Sequence, residues 1–314
     1  MMNDSKQDLK AIVPIAPAGF KSGFISIIGR PNVGKSTIMN QLVGQKIAIT
    51  SPVAQTTRNR LRGILTTDKA QLIFIDTPGI HKPHHELGKV LVKNAREAIA
   101  GADAILFVVD SSTPAGGGDR FIVKLLEKIE TPVILGLNKS DLQTDKDVNQ
   151  LDETYTKIAI ANNWPAIKFS AITKQGLERL FELLSQHLAA GPYYYPPDLV
   201  TDKPERFIMG ELIREQILLH TREEIPHSVA ITIEEIEETS KITRVFAAIN
   251  VERNSQKGII IGKKGNMLKE IGTKSRQQIQ KLIDGAVYLE LFVRVQPKWR
   301  QSRLRLAEFG YKPE

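Results

Sequence analysis

Three residue groups in this chain of 314 residues combine type and spacing in ways that imply chemistry. Gly29-Arg30-Pro31-Asn32-Val33-Gly34-Lys35-Ser36 fits GxxxxGK[ST], whose backbone N–H groups turn inward on phosphate oxygens while the lysine reaches the terminal phosphates. Lys35 is therefore the catalytic cation, Ser36 is expected to ligate Mg²⁺, and Thr37 opens a helix whose N-terminus adds positive dipole. In Asp76-Thr77-Pro78-Gly79, Asp76 can hold a Mg²⁺-bound water and the Gly79 amide can meet a γ-phosphate.

Asn138-Lys139-Ser140-Asp141 selects the base. The Asp141 carboxylate accepts from the ring N1–H and the exocyclic amine of guanine, a donor pair that adenine lacks. A site built to bond polar edges rejects a ligand without them by about 10⁴-fold. Ser170-Ala171-Ile172 offers a backbone N–H to the guanine O6. GTP and GDP are thus the expected ligands. Between the cradle and Asp76, Gln55-Thr56-Thr57-Arg58 lies in a polar stretch that reads as a mobile loop; Thr57, in preference to Thr56, is expected to close over Mg²⁺ and the γ-phosphate.

Ile80 stands where many switch GTPases place a glutamine that orients the attacking water. Without that group, unaided turnover is expected at or below the ~10⁻⁴ to 10⁻³ per second of an unassisted Ras-like enzyme. His81, His84 and His85 read as solvated loop residues rather than catalytic ones.

The third group is Gly262-Lys263-Lys264-Gly265, preceded by Ile259 to Ile261. A GxxG loop lets the backbone approach a sugar-phosphate chain, its lysines neutralise phosphates, and about four single-stranded nucleotides are clamped beside it. Alone the pattern is weak, but charge supports it: residues 257–314 hold 13 Lys and Arg against 5 Asp and Glu, an excess as large as the +8 of the whole chain. Lys257, Lys263, Lys264, Lys269, Lys274 and Arg276 form the expected backbone-tracking patch, with Ile261 and its apolar neighbours lining the groove under the bases. In the tail, Lys298, Arg300, Arg303 and Arg305 add charge, and Trp299 either stacks on a base or packs in the core.

The elements that must position these groups are legible as patterns. Apolar runs at Phe24–Ile28, Leu72–Ile75, Ala104–Val109, Pro132–Leu137 and Ala166–Phe169 alternate with helical spacing, the signature of a mostly parallel sheet covered by helices. Gly191-Pro192-Tyr193-Tyr194-Tyr195-Pro196-Pro197-Asp198 cannot continue a helix and marks a boundary. Beyond it, a helix from Phe207, period-two strands at Val229–Ile233 and Val245–Val251, a glycine-punctuated helical pair and a strand at Val287–Val295 give the order α-β-β-α-α-β of a type II KH domain. The expected division is a flexible tail over 1–20, an α/β G domain over 21–190, a linker over 191–200 and an α+β KH domain with a basic tail over 201–314. Gly116-Gly117-Gly118 reads as a loop tip.

Composition sets the outer bounds. The chain has no cysteine, which excludes disulfides and thiolate zinc sites and makes the cytoplasm the default location. Its start, broken by Pro14 and Pro17, does not read as a signal peptide, and no apolar run approaches the ~20 residues that span a bilayer.

The G-domain motifs resemble those of translation-factor-like GTPases with a hydrophobic residue at the Ile80 position. That resemblance implies that Asn32 helps bind K⁺, a cation that would stabilise transition-state charge. A G domain of this motif set joined through Gly191-Pro192-Tyr193 to a KH domain resembles the Era family of bacterial GTPases along nearly the whole chain, most specifically at the phosphate cradle, at Gln55–Arg58, at Asp76–Gly79 and at Phe207–Pro226. The resemblance implies binding of the single-stranded 3′ end of 16S rRNA, action in assembly of the 30S subunit, a monomer, and peripheral association with the inner membrane. The competing reading is a GTPase of tRNA modification or membrane trafficking whose basic end contacts another RNA or lipid; the GKKG loop and the lack of an amphipathic helix weigh against it.

Overall fold

The computed structural model describes residues 14–53, 61–77, 79–80, 97–144 and 148–309, and the side chains of His227 and Arg303 lie outside that description. Thr56, Thr57, Pro78, the three loop histidines and most of the 1–20 tail therefore fall outside it. The end of that tail is docked: Phe20 is buried and stacks on Tyr193, with ring centroids 4.4 Å apart.

Long β-branched and aromatic runs make the first sheet. The strands β1 (Lys21–Gly29), β3 (Ala70–Asp76), β4 (Ala104–Asp110) and β5 (Val133–Asn138) are buried almost throughout because helices cover both faces. With β2 (Leu61–Thr66) and β6 (Ala166–Lys168) they pair in the order β2-β3-β1-β4-β5-β6, parallel except for β2 against β3. Strand β1 has β3 on one side and β4 on the other, so the order switches direction at its carboxyl end. Open α/β sheets bind ligands at such a point, and the phosphate-cradle motif begins there.

The helices with complete bounds among the described residues that flank this sheet are α1 (Lys35–Val43), α2 (Gly117–Leu126), α3 (Val148–Ala161) and α4 (Leu177–Gln186). The glycine run read as a loop tip instead opens α2. Fully buried Asp119 accepts the Gly116 N–H at 2.9 Å, and this carboxylate starts the helix despite the poor propensity of glycine.

The second sheet has the order β7-β8-β9, from Ala230–Glu238, Thr243–Val251 and Val287–Val295. Strand β7 runs antiparallel to β8 through a turn in which Thr239 Oγ1 accepts the Ile242 N–H, while β9 pairs parallel to β8 along its full length. Between β8 and β9 the chain makes α7 (Asn254–Ile261), the glycine loop and α8 (Asn266–Ile283). Helices α5 (Glu205–His220) and α6 (Ile225–Ser228) precede the sheet, and a final helix, α9, spans Arg303–Glu308.

The two sheets share one apolar cluster, which runs from Ile25 and Leu72 through Ile47, Ala48 and Leu61 to Ile208, Ile213, Val245 and Ile279. Helix α5 accounts for this. Ten of its residues between Ile208 and Leu218 are buried, so it is enclosed on all sides, as a helix between two domains must be. The connecting segment is strapped to the edge of the first sheet: Ile64 N–H donates to Val200 C=O at 2.9 Å, and the Gln71 carboxamide bonds the backbone of Tyr194 and Tyr195.

Trp299 belongs to the core. It is 2% exposed, its Nε1–H donates to Ser228 C=O at 3.1 Å and its ring meets Phe309 edge-on, so it offers no face to a base. No helix among the described residues is long and apolar enough to cross a membrane.

Candidate functional site

The loop after β1 wraps a pocket of about 320 Å³ lined by Pro31 to Thr37 on one side and Ile49 to Pro52 on the other, with Gly79 and Lys139 at its ends. Left-handed backbone at Asn32 (φ 63°) and Gly34 (φ 99°) turns the chain around it. Gly34 has no substitute: a Cβ there would lie 2.4 Å from Asn138 Nδ2. At Gly79 a Cβ would lie 2.6 Å from Pro31 N, so the Asp76–Gly79 turn closes directly on the cradle.

Lys35 is 7% exposed, and its ammonium donates to the carbonyls of Gly29 (3.3 Å) and Arg30 (2.9 Å). Burial lowers its pKa to about 8, and the nearby Asp76 carboxylate recovers only part of the loss. Ser36 Oγ–H donates to Asp76 Oδ2 at 2.7 Å. The two oxygen ligands expected for Mg²⁺ thus touch, on a strand end and a helix start brought together by the β1–β3 pairing. Thr77 faces away from the pocket and bonds the Ile27 carbonyl at 2.8 Å.

Asn138, 2% exposed, joins the base and phosphate halves: its Nδ2 donates to Val33 C=O (2.8 Å) and its Oδ1 accepts from Ala171 N–H (2.9 Å). Of the backbone N–H groups that Ser170-Ala171-Ile172 offers to a guanine O6, that of Ala171 is engaged by Asn138 here. Lys139, at φ 66°, bonds Asp110 Oδ2 at 2.6 Å. Burial opposes the charge on Asp110, but the bonds from Lys139 and Ser112 outweigh it and hold the carboxyl below its usual range. Asp141 and Ile172 are exposed and Ser170 is buried.

Ile80 is fully buried among Ile28, Ile99, Ile105 and Phe107, and its N–H donates to Gly29 C=O at 3.0 Å. The side chain that replaces a water-orienting glutamine thus points into the core. A brace with no signature in the sequence also holds the cradle: Arg30 Nε–H donates to the buried Asp119 at 2.8 Å, fixing the loop to α2. Asn32 Nδ2 donates to Pro52 C=O at 2.9 Å, which closes the pocket across its mouth.

In the second domain the glycine loop is a tight turn, with Gly262, Lys264 and Gly265 at φ 71°, 54° and 77° and Gly265 N–H donating to Gly262 C=O. Lys263, Lys264 and Lys269 are exposed and Lys257 is half-buried. A groove of about 420 Å³ opens from Gly265 between α8 and β9, lined by Leu268, Lys269, Thr273, Arg276, Tyr288 and Leu291 among others. Its β9 wall was not foreseen from sequence, although the period-two pattern of that strand signalled one face. The isoleucine run, expected to line this groove, is not among its lining residues, because it forms the last turn of α7: Ile259 is open, Ile261 half-buried, and Ile260 wholly in the core.

A parallel sheet with a phosphate cradle at its switch point and a guanine-type strand end, followed by a KH fold with an open GKKG groove, defines a P-loop GTPase carrying an RNA-binding module. Residues 24–139 match the family model of 50S ribosome-binding GTPases, and residues 224–300 match that of the KH domain. The chain is 73% identical over 302 residues to the GTPase Era of Rippkaea orientalis and 70% to that of Crocosphaera subtropica, covering 96% of the chain and of each relative. It also superposes on a crystal structure of Era in complex with MgGDPNP and nucleotides 1506–1542 of 16S ribosomal RNA, with a TM-score of 0.85 and 36% identity over 94% of this chain and 100% of that one. A variant of Aquifex aeolicus Era bound to GDP·AlF₄⁻ gives the same TM-score at 37% identity over the same shares. The chain belongs to the Era family of GTPases.

The buried ammonium makes nucleotide affinity pH-dependent. Free protein loses the Lys35 charge as pH rises through about 8, whereas a lysine held by phosphate keeps its proton, so binding above that pH takes up a proton. Affinity for GTP is expected to fall by up to about tenfold per pH unit above pH 8. Titration calorimetry in buffers of different ionisation enthalpy checks it: proton uptake at pH 9 and little at pH 7.

Proposed function

We propose that this GTPase is a switch whose nucleotide state governs its grip on single-stranded RNA of the small ribosomal subunit, in the assembly of that subunit. What carries the reading is the joint presence, in one chain, of a guanine-type phosphate cradle and an open, basic KH groove of about 420 Å³. Support comes from the related Era bound to MgGDPNP and a 16S ribosomal RNA fragment, which aligns along nearly the whole chain.

In this reading Gly29 to Thr37 cradle the phosphates, Lys35 stabilises charge on the transferring phosphoryl group, Gly79 meets the γ-phosphate, and Asn138, Lys139, Asp141 and Ser170 to Ile172 hold guanine. Mg²⁺ fits the donors present. Ser36 and Asp76 offer hard oxygens 2.7 Å apart, and among the described residues no cluster of three or more His, Cys, Asp or Glu provides a full protein cage. A cation that takes one or two protein oxygens plus phosphates suits such a site. Bound there, it would neutralise charge on the β- and γ-phosphates. Thr57 is assigned the third oxygen, and Asn32, exposed at the mouth, the K⁺ contact.

On the RNA side, Lys263, Lys264, Lys269 and Lys257 neutralise phosphates beside Gly262 and Gly265, with Ile261 at the end of α7 just before the loop. The working units are 21–190 and 201–314, joined by 191–200. The same proposal includes a monomer in the cytoplasm with peripheral access to the inner membrane.

Three measurements test it. Asp141→Asn should exchange the preference for GTP for one for xanthosine triphosphate in competition binding; retained GTP preference sinks the guanine assignment. A short RNA matching the 3′ end of 16S rRNA should bind more tightly than its scrambled form. For about four phosphates its affinity should fall about fiftyfold between 50 and 200 mM salt. Replacing K⁺ by Na⁺ should slow hydrolysis several-fold, and Asn32→Ala should erase that difference.

A further inference from the structure

Glu215 is a carboxylate 1% exposed on helix α5 of the RNA-binding domain, and none of the roles assigned above uses it. Most of its acceptor capacity is spent across the domain boundary. Oε1 accepts the Thr50 N–H at 2.7 Å and the Thr50 hydroxyl at 3.3 Å. Oε2 accepts the Lys46 ammonium and, at 2.9 Å, Gln278 Nε2 of α8. A buried carboxylate is costly unless fully bonded, and here the bonds that satisfy it come from two segments distant in the chain, the one after α1 through Lys46 and Thr50 and helix α8 through Gln278, with a longer contact at 3.5 Å from neighbouring Gln216 Nε2.

Those elements connect the two candidate sites. Thr50 lies in the segment Ile49 to Pro52 that forms the outer wall of the nucleotide pocket. On its inner side that segment is held by α1, where the Asn40 carboxamide bonds the backbone of Ile47 and Ala48. Its end is joined to the phosphate cradle by the bond from Asn32 to Pro52. On its outer side it rests on one face of α5, where Phe207, Glu211 and Glu215 follow at four-residue spacing and Phe207 and Glu211 enclose a small gap with Ile47 to Ile49. Gln278 belongs to the helix that starts immediately after the GKKG loop and carries Lys269 and Arg276 along the groove. Nine residues of helix separate Gln278 from Lys269, about 13 Å.

We propose that Glu215 is a positioning residue for the nucleotide site, supplied by the RNA-binding domain: it fixes the pocket wall at Thr50 and, through Gln278, ties that wall to the helix beside the RNA groove. The second half rests on the reading of this protein as a GTP switch that grips RNA. If the wall shifts with the nucleotide, the Thr50 bonds are lost or remade, and the coupling is reciprocal, so RNA held against α8 biases the wall. A Glu on a helix reads as a solvated residue in sequence; its role comes from the other domain burying it.

The test loads the full-length protein, unsubstituted or as Glu215→Gln or Glu215→Ala, with a fluorescent GTP analogue. Release is followed without RNA and with a saturating single-stranded RNA of the 16S 3′-end sequence. Without RNA, Glu215→Ala should release nucleotide about fivefold faster or more, and Glu215→Gln, which keeps the volume and one acceptor oxygen, less so. In both variants the ratio of release rates with and without RNA should move to one, a readout that mere loss of stability would not produce. Folded variants whose RNA-free release stays within about twofold of the unsubstituted protein overturn the proposal; if Glu215→Ala does not fold, Glu215→Gln decides. If release from the unsubstituted protein ignores RNA, the gating half of the function fails, while the RNA-free rates still decide whether Glu215 positions the pocket.

Discussion

The carboxamide of Asn138 occupies the place where three strand-end loops must meet, and the geometry of the G domain is organised around it. One side of the amide bonds the cradle at Val33, the other bonds the loop after β6 at Ala171, and its own backbone ends β5. A buried amide leaves no room for slack, because each unpaired polar atom at such a site costs about 1–3 kcal/mol. The absence of a side chain on Gly34 is part of the same constraint, since any Cβ would displace the donor. The cradle and the loop after β6 are consequently one rigid object, in which a single side chain sets the spacing between them.

A second brace runs the other way. Arg30 to Asp119, Asn32 to Pro52 and Ile80 to Gly29 hold the rim of the cradle to α2, to the segment before β2 and to the end of the Asp76 turn. Each ties a loop residue to a helix, a strand end or another loop, and loops carry function only when a scaffold over-determines them. The burial of Ile80 belongs here too. With an apolar side chain sealed into the cluster of Ile28 and Phe107, the turn gains packing at a position that offers no polar group to the pocket.

Much of this was legible in sequence, for physical reasons that differ by element. Strands β1, β3, β4 and β5 are covered on both faces and therefore read as unbroken apolar runs, and each cradle or base motif follows such a run. Strand β2 escaped notice because Leu61–Thr66 carries Arg62 and Gly63 and gains its identity only by antiparallel pairing to β3. The start of α2 was hidden by three glycines, whose low propensity is overridden by one buried aspartate contacting the cradle. Trp299 stood among basic residues and gave no sign of its bond to Ser228. The groove wall on β9 and the acceptor on α5 were invisible for a common reason: both depend on contacts between segments distant in the chain, which periodicity does not report.

The parallel pairing of β8 with β9 has a consequence for when the chain acquires its RNA grip. That pairing needs the whole crossover, residues 252–286, to be in place first, and the groove exists only between the last helix of the crossover and the strand that closes it. Parallel pairings of this kind close slowly, since the entropy of a long loop is lost before any contact rewards it. The hairpin β7–β8 and helix α5, by contrast, are assembled from near neighbours. On a chain emerging in order from its own synthesis, the residues that line the nucleotide pocket therefore all precede the clamp, and the RNA groove is the later of the two to close.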